Sequence, residues 1–115
     1  MVTVIRKNPL KLNPLQLRTL VLAQVLAGDP VSGRVDAETG EVTLIRLPHT
    51  HGNHAHVGPY SLPARALSGF ENPAVWVVLA RKGLARREEN GMIVVTADGM
   101  TYETGLMEEL EKSDH

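Results

Sequence analysis

The sequence predicts an α+β domain in which helices alternate with two β-hairpins, and three observations lead there. Apolar residues at helical spacing follow an Asn-Pro pair twice, at Asn13-Pro14 and at Asn72-Pro73. A β-branched run, Glu41-Val-Thr-Leu-Ile-Arg-Leu47, precedes the turn pair Gly52-Asn53. Asn90-Gly91, the strongest two-residue hairpin signal, separates residues 86–89 from residues 92–96.

Composition sets the class. With 115 residues, 43% hydrophobic and 22% charged, the chain suits one globular domain over 1–115, too apolar for disorder and too interrupted for a membrane span. There is no cysteine, which excludes disulfides, thiolate zinc sites and cysteine nucleophiles and fits a cytoplasmic protein. Residues 1–13 carry Arg6, Lys7 and Lys11 but no apolar stretch of signal-peptide length, so neither export nor a membrane partner is expected.

Along the chain, Asn13 is the expected N-cap of the first helix, with Pro14 at the first helical position and Gln16 completing a capping box. Leu15, Leu17, Leu20, Val21, Leu22, Val25 and Leu26 give it an amphipathic pattern, and Gly28 ends it. Residues 29–40 are rich in turn formers and read as a loop. Residues 41–58 read as a histidine-bearing hairpin turning at Gly52-Asn53. Residues 63–68 suggest a short helix stopped by Gly69, and Asn72-Pro73 starts a helix that runs to Lys82 and is closed by Gly83. That helix is apolar all round over residues 73–80, the pattern of one buried on every side or set against a partner. A second hairpin spans residues 84–96. Beyond it, Asp98-Gly99 can turn the chain into a further strand or open a last helix; the favoured reading is a helix capped by Thr96, running to Lys112, with Leu106, Met107 and Leu110 inward.

Charge is unevenly spread: residues 1–87 hold eleven Lys/Arg against five Asp/Glu, and residues 88–115 hold one against eight. A basic body with an acidic end is compatible with a nucleic-acid partner, and it also arises from a solvated acidic helix face.

The order helix, hairpin, short helix, turn, helix, hairpin, helix is close to that of a winged helix-turn-helix. The stretch Leu79-Ala-Arg-Lys-Gly-Leu-Ala-Arg-Arg87, then Asn90-Gly91, then Val95-Thr-Ala-Asp-Gly99, resembles the recognition-helix end, the wing and the last-helix start of MarR-like winged-helix regulators. The resemblance covers about residues 60–112 and implies a winged-helix-like fold and a DNA-binding or transcription-regulatory role. It nominates Arg81, Lys82, Arg86 and Arg87 as contacts to the DNA backbone. The apolar third helix offers little to base edges. Apolar surface in excess of one small core makes a homodimer the expected assembly.

The sharpest chemical feature is His49-Thr-His51-Gly-Asn-His54-Ala-His56. With Gly52-Asn53 as the loop, His51 pairs with His54 and His49 with His56, and the period of two puts all four imidazoles on one face. Nitrogen-only ligation suits a divalent transition metal such as Zn or Ni. A polar hairpin tip with stacked rings, or a protein-interaction domain, is the plainer alternative. The run is also similar to the His-x-His-x-Asp-His motif of metallo-β-lactamase-type hydrolases, but Asn53 stands where the ligand Asp belongs. There is no nucleophile elbow, phosphate-binding glycine loop or paired catalytic carboxylate, so no enzyme is expected.

Overall fold

Asn13 starts the central element. Its side chain accepts the Gln16 N–H at 2.8 Å, and the Gln16 side chain accepts the Asn13 N–H at 2.9 Å, closing the capping box that opens helix α1 (Pro14–Ala27). The computed structural model describes residues 8–48, 50–108 and 110. Five consecutive residues, Thr19 to Ala23, are buried, as are Leu26 and Ala27. The helix is therefore enclosed on most sides rather than amphipathic. Its neighbours are two small antiparallel sheets and the other helical segments.

The first sheet comprises β1 (Gly33–Val35), β2 (Val42–Leu44), β6 (Ala85–Arg87) and β7 (Ile93–Val95), in the order β1-β2-β7-β6. The second comprises β3 (Thr50–His51), β4 (His54–Val57) and β5 (Tyr60–Pro63), in chain order. Residues 29–40 are thus not a plain loop, because they hold β1. The turn formers there close a hairpin instead: the Asp36 side chain accepts the Glu38 N–H, and Gly40, at φ +78°, donates its N–H to the Asp36 carbonyl.

The expected 41–58 hairpin is likewise divided. Val42 and Leu44 point inward from β2 while the strand pairs with β1 and β7. Pro48, which has no N–H for a ladder, separates it from the histidine hairpin proper, β3–β4. That hairpin turns at Gly52, whose positive φ at the first loop position is the II′ pattern. A second two-residue turn at Gly58-Pro59 adds β5, with Gly58 again at positive φ.

A run of 3-10 turns, Ala64–Glu71, leads into α2 (Pro73–Arg81), which is capped by the Asn72 side chain on the Ala74 N–H at 3.0 Å. Gly83, at φ +79°, ends α2 and returns the Leu84 N–H to the Leu79 carbonyl. The β6–β7 connection is one residue longer than the Asn-Gly pair alone. Arg87 pairs with Ile93, the Glu88 N–H reaches the Met92 carbonyl, and the Gly91 N–H returns to Glu88. The loop is therefore Glu89-Asn90-Gly91, with Gly91 in the left-handed position of a three-residue hairpin.

The expected helix from Thr96 to Lys112 is interrupted rather than continuous: residues 102–106 are not helical, and helical backbone returns at Met107, Glu108 and Leu110. α3 (Ala97–Thr101) is capped by Thr96 and gives way to extended backbone at Tyr102. Gln24 of α1 explains the stop, since its side-chain amide donates to the carbonyls of Gly99 and Tyr102 at 2.8 and 2.9 Å and so replaces continued helix bonding. Leu110 is buried and Leu106 half-buried, but Met107 faces solvent; Lys112 lies outside the described residues. Leu20, Leu22, Val57, Leu79, Leu84 and Val95 are fully enclosed where α1 meets both sheets and α2. Each such side chain contributes about 1.5–3 kcal/mol of burial.

Candidate nucleic-acid interface and histidine hairpin

The four cations nominated for DNA stand at the end of α2 and along β6, but not in equivalent states. Arg81 and Arg87 are exposed, and Lys82 is half-buried. Arg86 is committed elsewhere. Its guanidinium forms a bidentate pair with Glu41 beside β2 and also donates from Nε to Glu88 at 2.9 Å. These bonds raise the Arg86 pKa above its already high ordinary value, and the hydrogen bond from Arg86 lowers that of the Glu41 carboxyl. Arg86 is therefore a cross-sheet tie in this structure rather than a cation held out for phosphate. The salt bridges recorded among the described residues are both Arg86's.

Helix α2 is not enclosed on every side. Val75, Trp76 and Leu79 are buried, but Pro73, Ala74, Val77, Ala80 and Arg81 share an exposed stripe at helical spacing, with Val77 53% exposed. Small apolar side chains on that stripe have no hydrogen-bonding groups for base edges. Where α2 meets the second hairpin, two short motifs touch each other. The Thr96 hydroxyl donates to the Gly83 carbonyl at 2.7 Å and accepts the Gly99 N–H at 3.0 Å. A Cβ on Gly99 would sit 1.9 Å from the Leu84 carbonyl oxygen, so only glycine allows that approach.

In the histidine hairpin, Thr50 pairs with Ala55 and His51 with His54. His51, His54 and His56 are exposed, while Ala55 and Val57 between and beyond them are fully buried. The three imidazoles therefore share the outer face, with ring centroids 5.4 Å apart for His54–His56, 5.9 Å for His51–His56 and 6.4 Å for His51–His54. His49 lies outside the described residues. The rings are tilted or edge-on to one another, and among the described residues no three His, Cys, Asp or Glu groups already stand in metal-holding geometry. A cleft of about 270 Å³ opens beside His51 and His56, lined also by Asp29, Ser32 and Arg46.

Sequence reasoning missed the Arg86–Glu41 pair and the Asp29–Arg46 side of this cleft. The antiparallel pairing of β2 with β7 and of β7 with β6 is the signal that brings Glu41 toward Arg86, and it is visible only once β7 is known to lie between them. Among the described residues no helix is long and apolar enough to cross a membrane. Comparison with protein-family models, curated proteins and solved structures gave no match.

Proposed function

We propose that the chain is a small winged-helix-like regulatory module that binds duplex DNA through its phosphate backbone with little base selectivity. The observation that carries this reading is connectivity: α1 precedes β2, the 3-10 segment and α2 precede β6, and the strands run in the order β2-β7-β6. That is the arrangement in which a hairpin wing stands beside the second helix of a helix-turn-helix. The Thr96 and Gly99 contacts with Gly83 and Leu84 support the likeness to MarR-like regulators at the residues that carry it. Arg81 and Arg87 supply the phosphate contacts with Lys82 beside them, and the apolar stripe of α2 leaves base edges unread. The chain acts as a binding module rather than an enzyme.

Fluorescence anisotropy with a labelled duplex at low and moderate salt tests the proposal. Micromolar binding that weakens with salt is expected, and Arg81→Ala and Arg87→Ala should each reduce the log–log salt slope by about 0.9. Absence of binding in low salt, or a slope unchanged by both substitutions together, overturns it.

A second reading is favoured by the α2 stripe itself. Pro73, Ala74, Val77 and Ala80 form an apolar strip that suits a two-fold contact with a second copy. Light scattering at tens of micromolar protein should then give a dimer that Val77→Glu converts to monomer; a monomer in the unsubstituted chain removes this reading.

A further inference from the structure

We propose that His51, His54 and His56 form a three-imidazole site for a divalent transition metal on the outer face of the β3–β4 hairpin. The backbone there is set by the core rather than by the histidines. Ala55 and Val57 are fully buried on the opposite face, β5 pairs along the whole of β4, and a one-residue slip would exchange buried alanine and valine for imidazoles. The II′ turn at Gly52 fixes the facing strand. The hairpin is thus a platform from which three rings project to one side.

The spacing fits the chemistry. A metal–nitrogen distance of about 2.0–2.1 Å places imidazole centroids about 3.1 Å from the ion and, for tetrahedral angles, about 5 Å from one another. The observed separations of 5.4, 5.9 and 6.4 Å exceed that by about 0.4 to 1.4 Å. As they stand the three rings do not form a metal-holding group, and rotation about χ1 and χ2 of the exposed side chains is the adjustment that the site requires. Three neutral nitrogen ligands without thiolate select zinc or nickel over magnesium or calcium, and the fourth position is left to water. Asp29 lines the same cleft as His51 and His56, its carboxylate accepting from the Val31 N–H and the Ser32 hydroxyl, and adds negative charge on that side. Arg46 lines it too, and its positive charge works against the ion.

The test is calorimetric titration of the chelator-treated, full chain with zinc and with nickel at neutral pH. One metal per chain is expected, with binding weakened about tenfold or more by His54→Gln or by His56→Gln. Arg46→Ala should tighten it by about threefold, an effect that metal held at scattered histidines would not give. Ring-nitrogen NMR signals of His51, His54 and His56 should shift together at one equivalent. Because all three side chains are exposed, the triple variant His51→Gln, His54→Gln, His56→Gln should retain the native circular dichroism spectrum. If that folded variant binds metal as tightly as the original chain, or the three rings respond at different stoichiometries, the site does not exist.

Discussion

Arg86 and Glu41, 45 residues apart, are joined by two parallel hydrogen bonds, Nη1 to Oε2 and, at 2.9 Å, Nη2 to Oε1. The pair spans β7 on the outer face of the four-stranded sheet, where Val94 lies between Thr43 and Arg86 in register and is only 3% exposed. The tie therefore links β6 to the start of β2 across β7.

Glu41 makes this tie sensitive to acid. The hydrogen bond from Arg86 holds its carboxyl below the ordinary value of 4.5. A carboxylate whose folded value is depressed adds stability above its unfolded value and loses that contribution as the pH falls through the folded one. The chain should be more stable than Glu41→Gln in urea near neutral pH, and the gap should begin to close below about pH 4.5 and vanish at lower pH. Arg86 is exposed and Glu41 only half-buried, so molar salt should narrow the gap as well. A gap that widens on acidification contradicts the pairing.

Gly69 allows the 3-10 segment to approach α1. A Cβ there would lie 1.7 Å from Thr19 Oγ1 and 3.1 Å from Thr19 Cβ, and the buried Thr19 hydroxyl has no hydrogen-bond partner among the described residues. Gly69→Ala should cost about 1–3 kcal/mol through overpacking, read from the midpoint of urea unfolding. Adding Thr19→Ala should recover part of the loss, because the clashing hydroxyl is gone. Strictly additive losses in the double variant count against the contact.

Trp76 is the chain's one tryptophan, and it is nearly enclosed. Its indole N–H donates to the Phe70 carbonyl at 3.1 Å, and the two rings lie 5.6 Å apart. Trp76→Phe should cost about 1–3 kcal/mol, from the lost bond and the space left by the smaller ring. In the unsubstituted chain, fluorescence and circular dichroism should report the same unfolding midpoint, because Trp76 sits where α2 meets the 3-10 segment.

Asn13 and Asn72 each cap a helix, but only Asn13 has its side-chain bond returned, by Gln16. Asn13→Ala and Asn72→Ala should each cost about 1 kcal/mol, with the denaturant slope unchanged. Gln16→Ala should produce a smaller loss than Asn13→Ala.

Elements whose ends are written in local chemistry were legible in the sequence. The two Asn-Pro caps, Gly83 and the Gly52 turn are each specified by residues within a few positions of where they act, and the shared face of His51, His54 and His56 follows from that turn and the strand period. Elements decided by distant partners were not. β1 is three residues long and exists because β2 pairs with it, and β5 exists because β4 lies beside it. α3 gives way at Tyr102 because Gln24, 78 residues earlier, takes the Tyr102 carbonyl. Arg86 read as a free cation for the same reason, its partner being on another strand. The outward stripe of α2 was hidden in a run of apolar residues that gives no sign of which side meets solvent.

Thr96 joins the end of α2 to the start of α3 through a single hydroxyl, which gives to the Gly83 carbonyl and takes from the Gly99 N–H. Removing it with Thr96→Val keeps the shape but leaves the Gly83 carbonyl and the Gly99 amide to find other partners. The expected cost is about 1–2 kcal/mol, and faster amide hydrogen exchange at Gly99 should accompany it. Gly99→Ala should cost more, because its Cβ meets the Leu84 carbonyl backbone rather than a side chain that can move. Since Leu84 leads directly into β6, Gly99→Ala should also disturb the amide signals of Ala85 and Arg87, whereas Thr96→Val should leave them near their original positions. The reverse ranking of the two losses would mean that the hydroxyl, and not the close backbone approach, holds the second hairpin against α2.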